Sequence, residues 1–130
     1  MTIAVPVGFE LPVPSTAVEG SIEFLDKGAQ VTLVAHFKEG QLRRRTELSF
    51  SKVRAYRHRA EAHCTAGHIE GAYDTLVEVT DSDWVNELRR DTAERLRDKW
   101  VMRHFMIYFD SSGCYEIVAN DWSATTLNEW

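Results

Sequence analysis

Cysteine, proline and long apolar runs are all scarce in this 130-residue chain. Its 2 cysteines, Cys64 and Cys114, are too few for a disulfide scaffold and point to a reducing compartment. Its 3 prolines, Pro6, Pro12 and Pro14, disfavour a helix at the amino terminus and leave residues 1–18 as an extended arm. The first twenty residues contain no Lys or Arg, so they lack the positive start of a secretory signal. No stretch approaches the ~18 apolar residues of a membrane span. These absences predict a soluble, cytoplasmic protein. A phosphate-cradling glycine loop, a serine nucleophile elbow and a dinucleotide fingerprint are missing too, so no cofactor is expected.

What is present suits one domain over residues 1–130, because 44 % hydrophobic and 27 % charged residues are ordinary for a globule with its own core. The net charge of −5 is unevenly spread, with 12 acidic and 6 basic residues between 74 and 130. An acidic surface repels phosphate backbones and steers basic partners inward. That argues against nucleic acid and for a cationic macromolecule.

Alternation at a period of two marks a strand at 31–37, a row of Leu42, Thr46, Leu48 and Phe50 marks another at 42–50, and 21–25 and 75–80 read as short strands. Residues 53–64 are read as a further strand, followed by a glycine-containing loop to Gly71. Asp81 or Ser82 caps a helix predicted over 83–99, whose stripe runs through Val85, Leu88, Thr92, Ala93, Leu96 and Trp100. Arg103–Phe109 and Cys114–Ala119 flank Asp110-Ser111-Ser112-Gly113 and form a hairpin. With an even-numbered turn, Phe105, Ile107 and Phe109 share a face with Cys114, Glu116 and Val118, and His104, Met106 and Tyr108 lie opposite. Both faces are mostly apolar, which places the hairpin inside a covered sheet. Residues 120–130 read as a short tail or helix. The fold class expected is α+β: a mainly antiparallel sheet packed against one long helix, with the carboxyl-terminal hairpin central.

His58, His63, Cys64 and His68 fall within eleven residues, yet their spacing fits no zinc motif and no metal site is expected. The two cysteines read as small buried hydrophobes. Arg43-Arg44-Arg45 reads as the guard of an edge strand. Glu116 interrupts an apolar row and needs a partner, expected from the arginines of 54–59. Paired acid–base work by Glu116 and Glu78 is the less favoured reading. Trp84, Trp100, Trp122 and Trp130 all lie beside the acidic excess, where aromatic anchors with a charged rim would make a docking surface.

The segments 76–84, 103–110 and 113–119 resemble small bacterial immunity proteins of toxin–immunity competition systems. That resemblance implies a non-catalytic domain that binds a cognate toxin, typically a basic nuclease, and covers its active site. On charge and expected exposure, the contact residues would be Asp74, Glu78, Asp81, Asp83, Trp84, Asp110 and Trp122. Two alternatives stand beside it. One is a small enzyme or ligand-binding domain with a pocket between helix and sheet, using Glu116, His104 and Tyr108. The other is a homodimer joined through an exposed sheet edge.

Overall fold

The computed structural model describes residues 3–97 and 99–129. Trp130 therefore lies outside the described residues, as does position 98 of the expected helix. Nine strands are described: β1 (Ile3–Glu10), β2 (Glu19–Asp26), β3 (Gln30–Glu39), β4 (Leu42–Ser51), β5 (Ala55–Arg59), β6 (Thr75–Thr80), β7 (Arg103–Phe109), β8 (Gly113–Ala119) and β9 (Asp121–Glu129). Their order is β1-β6-β7-β8-β5 in one antiparallel sheet and β2-β3-β4-β9 in the other. The two sheets share one core. Val31, Leu33, Leu48 and Phe50 of the four-stranded sheet meet Leu76, Phe105, Ile107, Tyr115 and Ile117 of the five-stranded one. Phe50 and Phe105 touch across the interface with ring centroids 5.6 Å apart.

This overturns the expected α+β fold, because a second sheet, not a long helix, covers the core face of the first. The α-helix, α1 (Asp83–Asp91), has only 9 residues. It stops because Thr92 turns extended and donates its hydroxyl to the Leu88 carbonyl. Arg97 then donates its guanidinium N–H groups to the carbonyls of Thr92 and Arg90, satisfying the open helix end. The tail after residue 120 is strand β9, reached from β8 through Asn120 alone, so the chain steps from one sheet to the other there. Pairing with β9 also makes β4 an interior strand, and Arg43–Arg45 guard no edge. The amino-terminal residues form edge strand β1 despite Pro6.

The hairpin register differs from the expected one. Phe109 pairs with Gly113, leaving a three-residue turn with Ser111 at φ +65°. An odd turn reverses the facing of β8 relative to β7. Phe105 and Ile107 therefore join Tyr115 and Ile117 in the core, while His104, Met106 and Tyr108 share the opposite face with Cys114, Glu116 and Val118. Gly113 is required where it stands. Its φ is +94°, and a Cβ there would collide with the Arg59 carbonyl of neighbouring β5.

The outer face of the five-stranded sheet is roofed at two ends. Cys64, Ile69 and Ala72 of the 60–74 segment cover Met106, Tyr108 and Cys114. Val85, Leu88, Trp100 and Met102 cover Val118. Among the described residues no helix is long and apolar enough to cross a membrane.

Candidate functional site

Between those two roofs lies an open cleft of about 640 Å³, floored by β6, β7 and β8 and walled by β1, β5, the 67–71 loop and the start of α1. Its floor is polar where an apolar sheet face would be expected. Glu116 is 4 % exposed and His104 is equally buried. Cross-strand pairing places Arg57 directly opposite Glu116 from β5 and Met106 opposite it from β7, with His104 two residues away on the same face.

Both Glu116 oxygens are engaged. Arg57 donates Nε and Nη2 to them at 2.9 and 3.1 Å, and His104 Nε2 donates to Oε1 at 2.8 Å. Burial alone would raise the pKa of this carboxyl, but the hydrogen bonds from His104 and Arg57 outweigh it and hold the value at about 2. Glu116 is therefore a fixed anion. Facing it, His104 Nε2 must carry a proton, which leaves Nδ1 as the acceptor in the neutral ring. Nδ1 lies 2.8 Å from Ser82 Oγ.

Ser82 sits where β6 turns into α1, after Asp81 at φ +54°. As the N-cap of α1, its Oγ accepts the Val85 N–H at 3.1 Å. One continuous chain thus runs Ser82–His104–Glu116–Arg57. Trp84 closes it from the helix side, its ring edge-on to His104 at 5.1 Å and with the Arg57 guanidinium 4.0 Å over its face. Arg59 also lines the cleft and makes no ion pair among the described residues. The apolar wall comes from Ile3, Ala4, Val79 and Met106.

His68, Cys114 and Glu116 bring three metal-ligating atoms within 4.8 Å of one another. The set suits a cation poorly. Arg57 and His104 already occupy the carboxylate, and burial, with the Glu116 charge adding to it, pushes the Cys114 thiol up to about 12, so it keeps its proton. Of the four clustered candidates, only His68 lines the cleft. His58 bonds to the Ser112 carbonyl and packs at a tilt against Tyr115, and Cys64 points its thiol at Arg59 and Ala60 carbonyls.

The seven acidic and aromatic residues picked for a docking surface fall in three places. Asp74 is buried and accepts the Ser15 N–H at 3.0 Å, while Asp110 lies at the same corner, accepting the Tyr73 hydroxyl. Glu78 accepts from Arg103 at 2.7 Å, and the same guanidinium reaches Asp121, the neighbour of Trp122. Trp122 packs inward against Phe9. Asp81, Asp83 and Trp84 cluster at the rim of the cleft, and Asp83 and Trp84 line it. The first and last groups sit at opposite ends of β6, about 20 Å apart by strand rise. Tyr108 lies under the 60–74 roof, its hydroxyl donated to Glu61.

The expected arginine partner of Glu116 is Arg57. Ser82 went unrecognised in the site, since its only sequence signal was an N-cap. No protein-family model, curated protein or solved structure matches this chain.

Proposed function

We propose that the chain is a small-molecule-binding domain whose ligand sits in the outer-face cleft of the five-stranded sheet. The observation that carries this reading is the ionised, doubly bonded Glu116 buried at the floor of a cleft of about 640 Å³. Ligand sites are typically concavities of roughly 300–1,000 Å³ with apolar walls and a few converging polar groups. A buried charge network with a wide opening above it matches that pattern, and its neutralised floor leaves little attraction for a polyanion. The ligand fitting this wall has an apolar body against Ala4, Val79 and Met106 and a polar group toward Arg59 and His68.

The test uses three probes of one size and different charge: benzoate, benzamide and phenethylamine. Tryptophan fluorescence should report saturable binding of at least one of them with Kd at or below about 1 mM. Filling the cleft with Ala4→Trp should abolish it. Binding by none of the three, or binding unchanged by the filling variant, would overturn the reading.

The second reading is docking of a basic protein, as a toxin is docked by an immunity protein. It is favoured by exposed Asp81 and Asp83 beside half-buried Trp84 at the cleft rim. A basic protein recovered from the native cell at one-to-one stoichiometry, and lost with Asp83→Arg, would support it. Recovery unaffected by that change would count against it.

A further inference from the structure

We propose that Ser82 is a nucleophile and that the cleft hydrolyses small carboxylic esters. This rests on the cleft being the ligand site and adds a reaction to it. The geometry has the three parts such chemistry needs: a hydroxyl, a base within reach of it, and a group that orients the base. Ser82 Oγ lies 2.8 Å from His104 Nδ1, and His104 Nε2 lies 2.8 Å from Glu116 Oε1. The imidazole is used in the reverse sense to the serine-protease triad, with Nδ1 toward the hydroxyl, but either ring nitrogen can accept the proton once the other is held by a carboxylate.

The hydroxyl's own bonds are compatible with attack. Ser82 Oγ has one proton and two lone pairs. The proton points to Nδ1, one lone pair takes the Val85 N–H, and the second lone pair remains. The serine stands between a strand and a helix, in extended backbone at φ −77° just after Asp81 at φ +54°, so it lies at the end of β6 where the chain turns over the cleft. In the first turn of α1 the N–H groups of Asp83 and Trp84 have no acceptor within the helix and are the donors available to a developing oxyanion.

The steps balance with water alone. Oγ bonds to the ester carbonyl carbon as its proton passes to Nδ1. The carbon–oxygen bond to the alcohol breaks, and the departing alcohol takes that proton. Water then attacks the acyl-serine, giving a proton to Nδ1. Release of the carboxylic acid returns that proton to Oγ. Ser82 and His104 are the catalytic residues, and Glu116 is a positioning residue that fixes the ring.

Two measurements on the full chain test this. A fluorophosphonate probe should add once, with peptide mapping placing the adduct on Ser82. p-Nitrophenyl acetate hydrolysis should fall at least about 100-fold in S82A and in S82N, the latter keeping an N-cap acceptor. His63→Ala, at an exposed histidine outside the cleft, should leave the rate unchanged. An adduct elsewhere, no adduct, or equal hydrolysis by S82N and the parent would overturn the proposal. Saturable binding of the benzene probes in that event would leave the binding reading standing and remove only the chemistry.

Discussion

Each sheet of this sandwich carries a histidine wired to glutamate and arginine on its outer face, and the two networks differ mainly in what covers them. On the four-stranded sheet His36 bonds Glu129 through Nδ1 at 2.8 Å and Glu23 through Nε2, with Arg45 and Glu47 alongside. That network is open to water, and the His36 side chain is 30 % exposed. On the five-stranded sheet the same residue types lie on the floor of the cleft between α1 and the 60–74 segment, with both His104 and Glu116 side chains 5 % exposed. Water screens the first set and side-chain entropy opposes it, so its pairs contribute little. Removing Arg57 or His104 from the second set leaves the Glu116 carboxylate short of a donor out of water. Removing Glu116 takes the anion from buried His104 and the bidentate partner from half-exposed Arg57. Sequence pattern alone does not distinguish the two; burial does.

The sharpest way to break the contrast is Glu116→Gln. It should lower stability by about 3 kcal/mol, because Arg57 loses its bidentate partner and His104 its anion. For a chain of this size that is a fall in Tm of about 10 °C in a thermal melt. A fall under about 2 °C would place the network among the weak surface pairs. Acid provides the same test without mutation. The Glu116 pKa is depressed from 4.5 to about 2, so its contribution is complete above 4.5 and lost as pH falls through that window. Urea midpoints taken from pH 6 to pH 2 should drop steeply for the parent chain and less for Glu116→Gln.

A smaller effect attends Trp84→Ala, which removes the ring from over Arg57 and from the edge of His104. It should cost about 2 kcal/mol in equilibrium unfolding, and Leu127→Ala on the open face a small fraction of that. Equal costs would mean that the roof adds nothing. His36→Gln should change stability by no more than about 0.5 kcal/mol and less still in high salt. Burial acts to lower the His36 pKa, but Glu129 and Glu23 outweigh it and the value is raised. The contribution of His36 is therefore complete below its ordinary 6.5 and disappears as pH rises through the raised value, the opposite direction to Glu116.

Strand β3, with Val31, Leu33, Ala35 and Phe37 alternating against Thr32, Val34 and His36, was legible in the sequence, and so was the need of Glu116 for an arginine. The candidate site was not, and a single turn residue explains why. An even turn would set Glu116 beside Phe105, whereas the three-residue turn at 110–112 sets it beside His104 and opens the whole polar network. Turn length is a weak signal in Asp-Ser-Ser-Gly, where Ser111 takes a positive φ that glycine more often supplies. The helix expected over 83–99 ends at Asp91 for a related reason. Trp100 packs in the same cluster as Val85 and Leu88, so an apolar residue falls at helical spacing although the backbone has left the helix at Thr92. Strand β9 was hidden by polarity. Its Thr46–Thr126 partnership uses a hydroxyl pair at 2.9 Å where most interlayer strands use aliphatics.

The protonation state of one buried carboxyl decides most of this account. A carbon-13 NMR titration of the Glu116 side-chain carboxyl, followed from pH 7 downward, measures it directly. A midpoint near 2 is predicted, because His104 and Arg57 hold the anion against burial. A midpoint at or above 4.5 would mean that the anion is not fixed, that His104 is not oriented by it, and that the cleft lacks the floor on which both its binding and its chemistry were built.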